Sequence, residues 1–432
     1  MNTLAENKRH VSNFSRDKLG RITQKVETVA GLSETSDYTY DLAGRLDTVT
    51  IDGALIADYA YDSNSNRVGV VQQRSPDEAK RNPGLTPAQA ISGIPTTSCA
   101  ANLPNVAATV DAQDRLLTYG TCTYQYTDNG ELSHKTDTAT SAVTTYQYDS
   151  FSNLRHVSLP DGRAIDYQID GRNRRIGKSI NGVAVQGLIY INDLEPVAET
   201  DPDGNRIATF IYADRANTPS YLLKGGNVYR VIADHLGSVR LVINVADGSI
   251  AQRLDYDAWG QVLLDTNPGF QPFGFAGGIY DRDTGLVRFG ARDYDSEVGR
   301  WTNKDPIGFG GGDVNIYSYL GNEPIRYIDP FGLSKFDKLF GLPKQFWNWY
   351  HRKQKGPGDA DLSKDEARAL HEEWKDLGKP GPDNKGKQGG YVDFQLLEWL
   401  IPWPLIPSEM GCSDLDCNRN GVPDYQEDGQ CK

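Results

Sequence analysis

The four-residue figure Asp-Pro-x-Gly occurs twice in the stretch DPIGFGGGDVNIYSYLGNEPIRYIDPFGLS, first at Asp305 and again at Asp329. Two carboxylates brought close together cannot both ionise, so one keeps a proton while the other stays charged. The charged one can act as general base on water, and the protonated one can polarise or protonate a peptide. Arg300, in GRWTNKDP just upstream, is expected to stabilise charge beside them. The figure is also good turn chemistry, since Pro fixes φ and Gly accepts positive φ. A turn explains one copy, whereas two copies in one block favour a working pair.

A second oxygen-rich constellation stands near the C-terminus, in DCNRNGVPDYQED. Asp416, Asn418, Asn420, Gly421, Asp424 and Glu427 fall at positions 1, 3, 5, 6, 9 and 12 of a calcium loop spanning 416–427. Hard oxygen ligands at alternate positions converge on one cation when the chain turns at the sixth, so Ca²⁺ is the expected ligand. The other reading is an acidic turn stapled by disulfides. The five cysteines form two groups, Cys99 with Cys122, and Cys412, Cys417 and Cys431; both suit disulfides in an oxidising place better than catalysis. The absence of any Cys-x-x-Cys pair argues against a zinc site of the usual spacing. His371-Glu372 lacks the second histidine of a metalloprotease helix, so His351, His371 and Glu372 read as surface positions.

These groups must be positioned by a repetitive framework. YTYDLAGRL at Tyr38, YAYDSNSNRV at Tyr59, YQYDSFSNLR at Tyr146 and YQIDGRNRRI at Tyr167 recur at an interval of about 21 residues where copies are adjacent. In each phrase, Y-x-Y is a strand, the Asp opens a tight turn, and the residues after it start the return strand. Weaker copies begin at Phe14, Ala112, Tyr124, Asp201 and Tyr256, and a Pro/Ala/Ser-rich inserted loop is expected over about 71–108. Isolated hairpins are marginal, so successive ones must pair edge to edge. The expected fold is mainly β: a spiral of antiparallel β-hairpins whose tyrosines stack across strands, with His235 as a hydrogen-bonded turn residue. Composition changes at Ser334. There a small α-containing C-terminal domain is expected, with a helix over 364–377 opened by the capping box Ser363/Glu366 and closed near Gly378 and Pro380. The expected organisation is therefore a repeat spiral over 1–228, a terminal block over 229–333 and a variable domain over 334–432.

The phrases resemble the YD repeats of the Rhs and teneurin families. YRVIADHLGSVRLV, YDAWGQ, FGFAGGIYDRDTGLVRFGARDYDSEVGRWTNKDPIG and NIYSYLGNEPIRYIDPFGL are similar, in order, to the Rhs repeat-associated core, and the likeness covers roughly 14–333. It implies a β-cocoon around a variable C-terminal polypeptide, usually a toxin, with the shell chain cutting itself after the second Asp-Pro-x-Gly. Carried onto this sequence, it makes Asp305 and Asp329 the catalytic pair and Leu333-Ser334 the cleaved bond. It further implies the tail as cargo, a shell-completing or secretion-apparatus protein and an immunity protein as partners, and a bacterial source. A chain of this length is expected to form only part of a cocoon.

Net charge is -13 and the isoelectric point about 5.0, so no overall electrostatic footprint for nucleic acid or anionic membrane is present. The start MNTLAENKRHVSNFSRD has no apolar core of a signal peptide, which makes export by another route the expectation for a secreted or surface protein. These features are compatible with two functions. One is the C-terminal part of a self-cleaving Rhs polymorphic toxin. The other is a noncatalytic surface or secreted interaction protein with a calcium-stapled end.

Overall fold

In a computed structural model of the chain, the described residues are 10–72, 99, 105–213, 215, 217–311 and 313–333, with the backbone of 336–337. The chain divides into two units, Met1–Gly341 and Leu342–Lys432. The second unit, and with it the expected helix over 364–377, the calcium loop over 416–427 and Cys412, Cys417 and Cys431, lies outside the described residues, as does Ser334.

Twenty-two strands, from Val11–Arg16 to Val262–Asp265, form one sheet in which each strand pairs antiparallel with the next in sequence. The turns show why the phrase is built as it is. Asp41 Oδ1 accepts from the backbone N–H of Ala43 and Arg45, each at 2.9 Å, while its Oδ2 takes Arg45 Nε at 2.7 Å. The residue three places after the aspartate is left-handed in copy after copy: Gly20, Gly44, Ser65, Asp114, Ser152 and Asn173. In some copies the fourth place is asparagine and the tie is kept, as Asn66 Nδ2 donates to Asp62 Oδ2 at 2.9 Å.

In the first two phrases the second tyrosine latches one repeat to the one before. Tyr40 Oη donates to Ile22 O at 2.8 Å and Tyr61 Oη to Leu46 O at 2.7 Å. The guanidiniums of Arg21 and Arg45 lie over those same rings at 4.7 and 4.6 Å. The first tyrosine (Tyr38, Tyr59, Tyr146, Tyr167) points to the other side and is buried in the core. Tyr61→Phe removes one latch and leaves a carbonyl without its donor. It is expected to lower stability by about 1 kcal/mol, read as a reduced thermal midpoint with unchanged circular dichroism.

The sheet curls until its early and late strands meet. Glu27, on Ile22–Val29, pairs with Arg240, on Val239–Asn244, at 3.3 Å, and the rings of Phe14 and His235 sit 4.7 Å apart. His235 Nε2 meets Ile325 O at 2.8 Å, whereas its Nδ1 is buried without a partner. The wall runs past the expected boundary at 228 as far as Asp265. The interruption is narrower than 71–108, because Arg67–Gln72 and Asn105–Val110 pair directly. Cys99 and Cys122 form a disulfide with a Cα–Cα distance of 5.3 Å.

The chain beyond the wall lines the wall's inner face. It contains a four-stranded sheet of Ile279–Tyr280, Leu286–Phe289, Arg292–Asp295 and Arg300–Trp301, and is tied to the wall by Lys135 to Glu297 at 2.7 Å and, beyond that sheet, by Tyr317 Oη to Gly130 O at 2.8 Å. Two cavities between wall and lining measure about 30 and about 50 Å³, room for a few water molecules and not for a polypeptide.

Trp259 is buried against Tyr59 and Arg67, and the turn before it carries an acid in an unfavourable place. Burial pushes Asp257 up from its ordinary 3.8 to about 6, against the hydrogen bonds it accepts from the N–H of Trp259 and Gln261. A raised folded-state pKa favours the native state below the ordinary value, and that contribution is lost as pH rises through 6. Asp257→Asn keeps the Oδ1 acceptor without the charge. It is therefore expected to match wild type near pH 4 and to exceed it above pH 6 by on the order of 2 kcal/mol, measured as midpoints of urea unfolding across pH.

Candidate active site

Both Asp-Pro-x-Gly figures are turns, and the same aspartates also form a pair, using different oxygens for the two jobs. Asp305 Oδ1 accepts from Ile307 N at 2.9 Å and Asp329 Oδ1 from Leu333 N at 3.0 Å, which closes each turn. The two Oδ2 atoms converge on a single nitrogen, Arg292 Nη2, at 3.0 Å from Asp305 and 3.2 Å from Asp329. The carboxylates thus stand within one guanidinium of each other although 24 residues separate them in sequence.

Arg292 lies on the strand Arg292–Asp295, its side chain 4 % exposed, with the face of Trp301 4.1 Å from the guanidinium carbon. Its Nε donates to Gly332 O at 2.5 Å. The Gly332–Leu333 peptide is consequently held at both ends, its carbonyl by Arg292 and its N–H by Asp329. Burial pulls the Arg292 pKa down, and the charges of Asp329 and Asp305 hold it up. Asp305 is raised by burial in the first place, and Arg292 opposes that shift. One cation between two carboxylates leaves a negative charge in a poorly hydrated place, a condition relieved when Asp305 carries a proton.

The glycines of the two figures differ in what they do. Gly308 has a φ of 57° with open space around it, so it serves the turn alone. Gly332 has a φ of 65°, and a Cβ there would meet Phe289 O at 2.4 Å and Arg292 N at 2.9 Å. It faces Gly290, where a Cβ would meet Phe331 O at 2.4 Å. Two glycines back to back allow the chain before Leu333 to lie against the arginine strand, where Ala291 N donates to Phe331 O at 2.9 Å.

Arg300, expected beside the pair, is elsewhere. Its guanidinium donates to Asn66 Oδ1 at 2.8 Å and to Asp114 O, fastening the lining to two turns of the wall. The reason is strand direction: Arg300 pairs back onto Asp295 and faces the wall. Arg292 takes the role, and sequence reading missed it. The available signal was a run of charged residues, Arg288, Arg292, Asp293 and Asp295, in a hairpin that is otherwise apolar and aromatic; all four are buried. Among the described residues no cluster of His, Cys, Asp and Glu is arranged to hold a metal ion. No described helix is long and apolar enough to cross a membrane.

A family model described as Teneurin YD-shell matches residues 2–79 and 101–325. Teneurin-3 of Danio rerio is 27% identical over 325 residues, which cover 72% of this chain and 11% of the teneurin. A double-stranded DNA deaminase toxin A of Burkholderia cenocepacia (strain H111) is 28% identical over 347 residues, covering 74% of this chain and 22% of the toxin. A crystal structure of TcdB2-TccC3-Cdc42 aligns over 76% of this chain and 21% of that one, with 16% identity and a TM-score of 0.36. The chain thus spans about a tenth to a fifth of the length of the relatives it matches.

Proposed function

We propose that this chain, which belongs to the teneurin YD-shell family, is the shell-type part of a secreted toxin of the Rhs kind that cuts its own backbone after Leu333. The observation that carries the proposal is the convergence of Asp305 Oδ2 and Asp329 Oδ2 on Arg292, whose Nε grips Gly332 O one residue before the bond to be cut. The charged carboxylate takes a proton from water as its oxygen attacks the Leu333 carbonyl carbon. The other carboxylate gives its proton to the leaving nitrogen of Ser334. One water is consumed, a new carboxylate and a new amine form, and the pair returns to one proton between two acids. The first carboxylate is assigned as Asp329, which already accepts a hydrogen bond from the segment. The proton donor is Asp305, which burial favours in its neutral form. Arg292 holds both in place and stabilises the negative charge of the intermediate.

Residues 334–432 are then the cargo. The lining of 266–333 covers the inner face of the wall, so a chamber for that cargo needs further strands, supplied by more shell chain or by a partner. The loop 416–427 holds Ca²⁺ in this reading, and an export apparatus and an immunity protein complete the system. The match to a named toxin supports this assignment. Its test is chromatography of the purified chain under native and denaturing conditions. Two pieces that co-elute natively and part in denaturant are expected; two pieces that part without denaturant would remove the tail from its place as held cargo.

A further inference from the structure

We propose that His235 is the pH-sensitive keystone of the joint where the curled wall closes on itself: neutral, it holds the first strands, the late strands and the terminal block together, and protonated, it lets them part. Its turn is built like the others, with Asp234 Oδ1 accepting from the N–H of Leu236 and of Ser238, each at 2.9 Å. The place after the aspartate is exposed at Lys18, Leu42, Ser63 and Ala112. At His235 it is partly covered, by the Phe14 ring of the first strand at 4.7 Å and by Ile325 of the terminal block.

A carbonyl oxygen only accepts, so Nε2 carries the ring hydrogen and donates to Ile325 O at 2.8 Å. Nδ1 is then the bare nitrogen, and it is buried without a partner. A second proton enters there, bringing a charge and an N–H that no acceptor meets. The charged groups around the ring are engaged with one another. Glu27 takes Lys25 at 3.0 Å, Arg240 at 3.3 Å and His10 at 2.6 Å, Arg240 also reaches Asp255 at 3.1 Å, and beside Ile325 the side chain of Arg326 meets Glu323 at 3.9 Å. Burial pulls His235 below its ordinary 6.5, the Lys25 charge adds to the pull, and Asp234, the Ile325 carbonyl and Glu27 oppose it. A lowered folded-state value means that the closed joint is fully favoured above 6.5 and loses that advantage as pH falls. Glu27 does not titrate in the same window: burial works against its charge, but Lys25, His10 and Arg240 hold its carboxyl well below the usual carboxylate range.

The joint contains neither Arg292 nor its two acids, and its test does not use the proposed cleavage. Amide hydrogen exchange of the whole chain is followed at pH 7.5 and pH 5, each corrected for the intrinsic pH dependence of exchange. The amides of Ile22–Val29 and Val239–Asn244 are expected to exchange about tenfold faster at pH 5, while those of Leu154–Ser158, on the wall away from the joint, keep their protection. No acid response, or an equal one in all three strands, would overturn the proposal. His235→Gln keeps an N–H for Ile325 O and takes no proton, so its joint is expected to show no acid response; a response equal to wild type counts against the keystone. If that variant does not fold, His10→Gln decides, since His10 bonds Glu27 at the same joint. A response that survives in it supports His235, and one that disappears refutes it.

Discussion

Asp329→Asn is expected to leave the chain whole, slowing the break after Leu333 by about 10²–10⁴-fold relative to wild type, the span over which acid–base groups act. Asparagine keeps an oxygen for the N–H of Leu333 and so keeps the turn. Its amide cannot take a proton from water, and it offers no charge to Arg292 Nη2, now 3.2 Å from the carboxylate. The comparable loss is expected for Asp305→Asn, whose Oδ1 bond to Ile307 N survives in the same way. Arg300→Lys serves as the contrast, since Arg300 binds Asn66 and Asp114 and neither acid of the pair. It should still break. Incubation of each purified variant, with the full-length fraction followed in time by denaturing electrophoresis, separates these outcomes.

The second large effect is on stability. Arg292→Met removes the cation from between two carboxylates whose side chains are only 8 % and 3 % exposed, together with the donor to Gly332 O. Stranding buried charge in this way costs about 3–5 kcal/mol. The sign of its pH dependence identifies the cause. Without the arginine nothing opposes the burial that already raises Asp305, so the variant regains stability as pH falls and Asp305 takes up a proton, and loses it as pH rises. Urea unfolding at neutral pH and near pH 4 is the check, and a deficit that stays constant with pH would point to lost packing on Trp301 instead. Cleavage by Arg292→Met is expected to be absent at both.

The wall was legible because each phrase carries its own instructions within a few residues. The aspartate closes the turn, a left-handed place comes three residues on, and the next arginine or asparagine ties back to the acid. The tyrosine alternation then sets which ring goes inward and which one latches. Asp305 and Asp329 were legible as a repeated figure, and their dual use as turn and pair reflects a carboxylate having two oxygens. Arg292 was not legible, because its place depends on a hairpin folding over the wall and on Gly290 and Gly332 meeting back to back, contacts about 40 residues apart in sequence. Arg300 misled for the same reason: proximity in sequence to Asp305 says nothing about which face of a strand it leaves from. The filled inner face was equally hidden, since aromatic residues such as Trp259, Tyr294 and Tyr319 read alike as wall or as lining.

Intact-mass measurement of the purified wild-type chain under denaturing conditions tests most directly whether Asp305, Asp329 and Arg292 form a self-cleaving site. The expected spectrum has two species whose masses place the break between Leu333 and Ser334. A single full-length mass that persists on incubation at neutral and mildly acidic pH would contradict it.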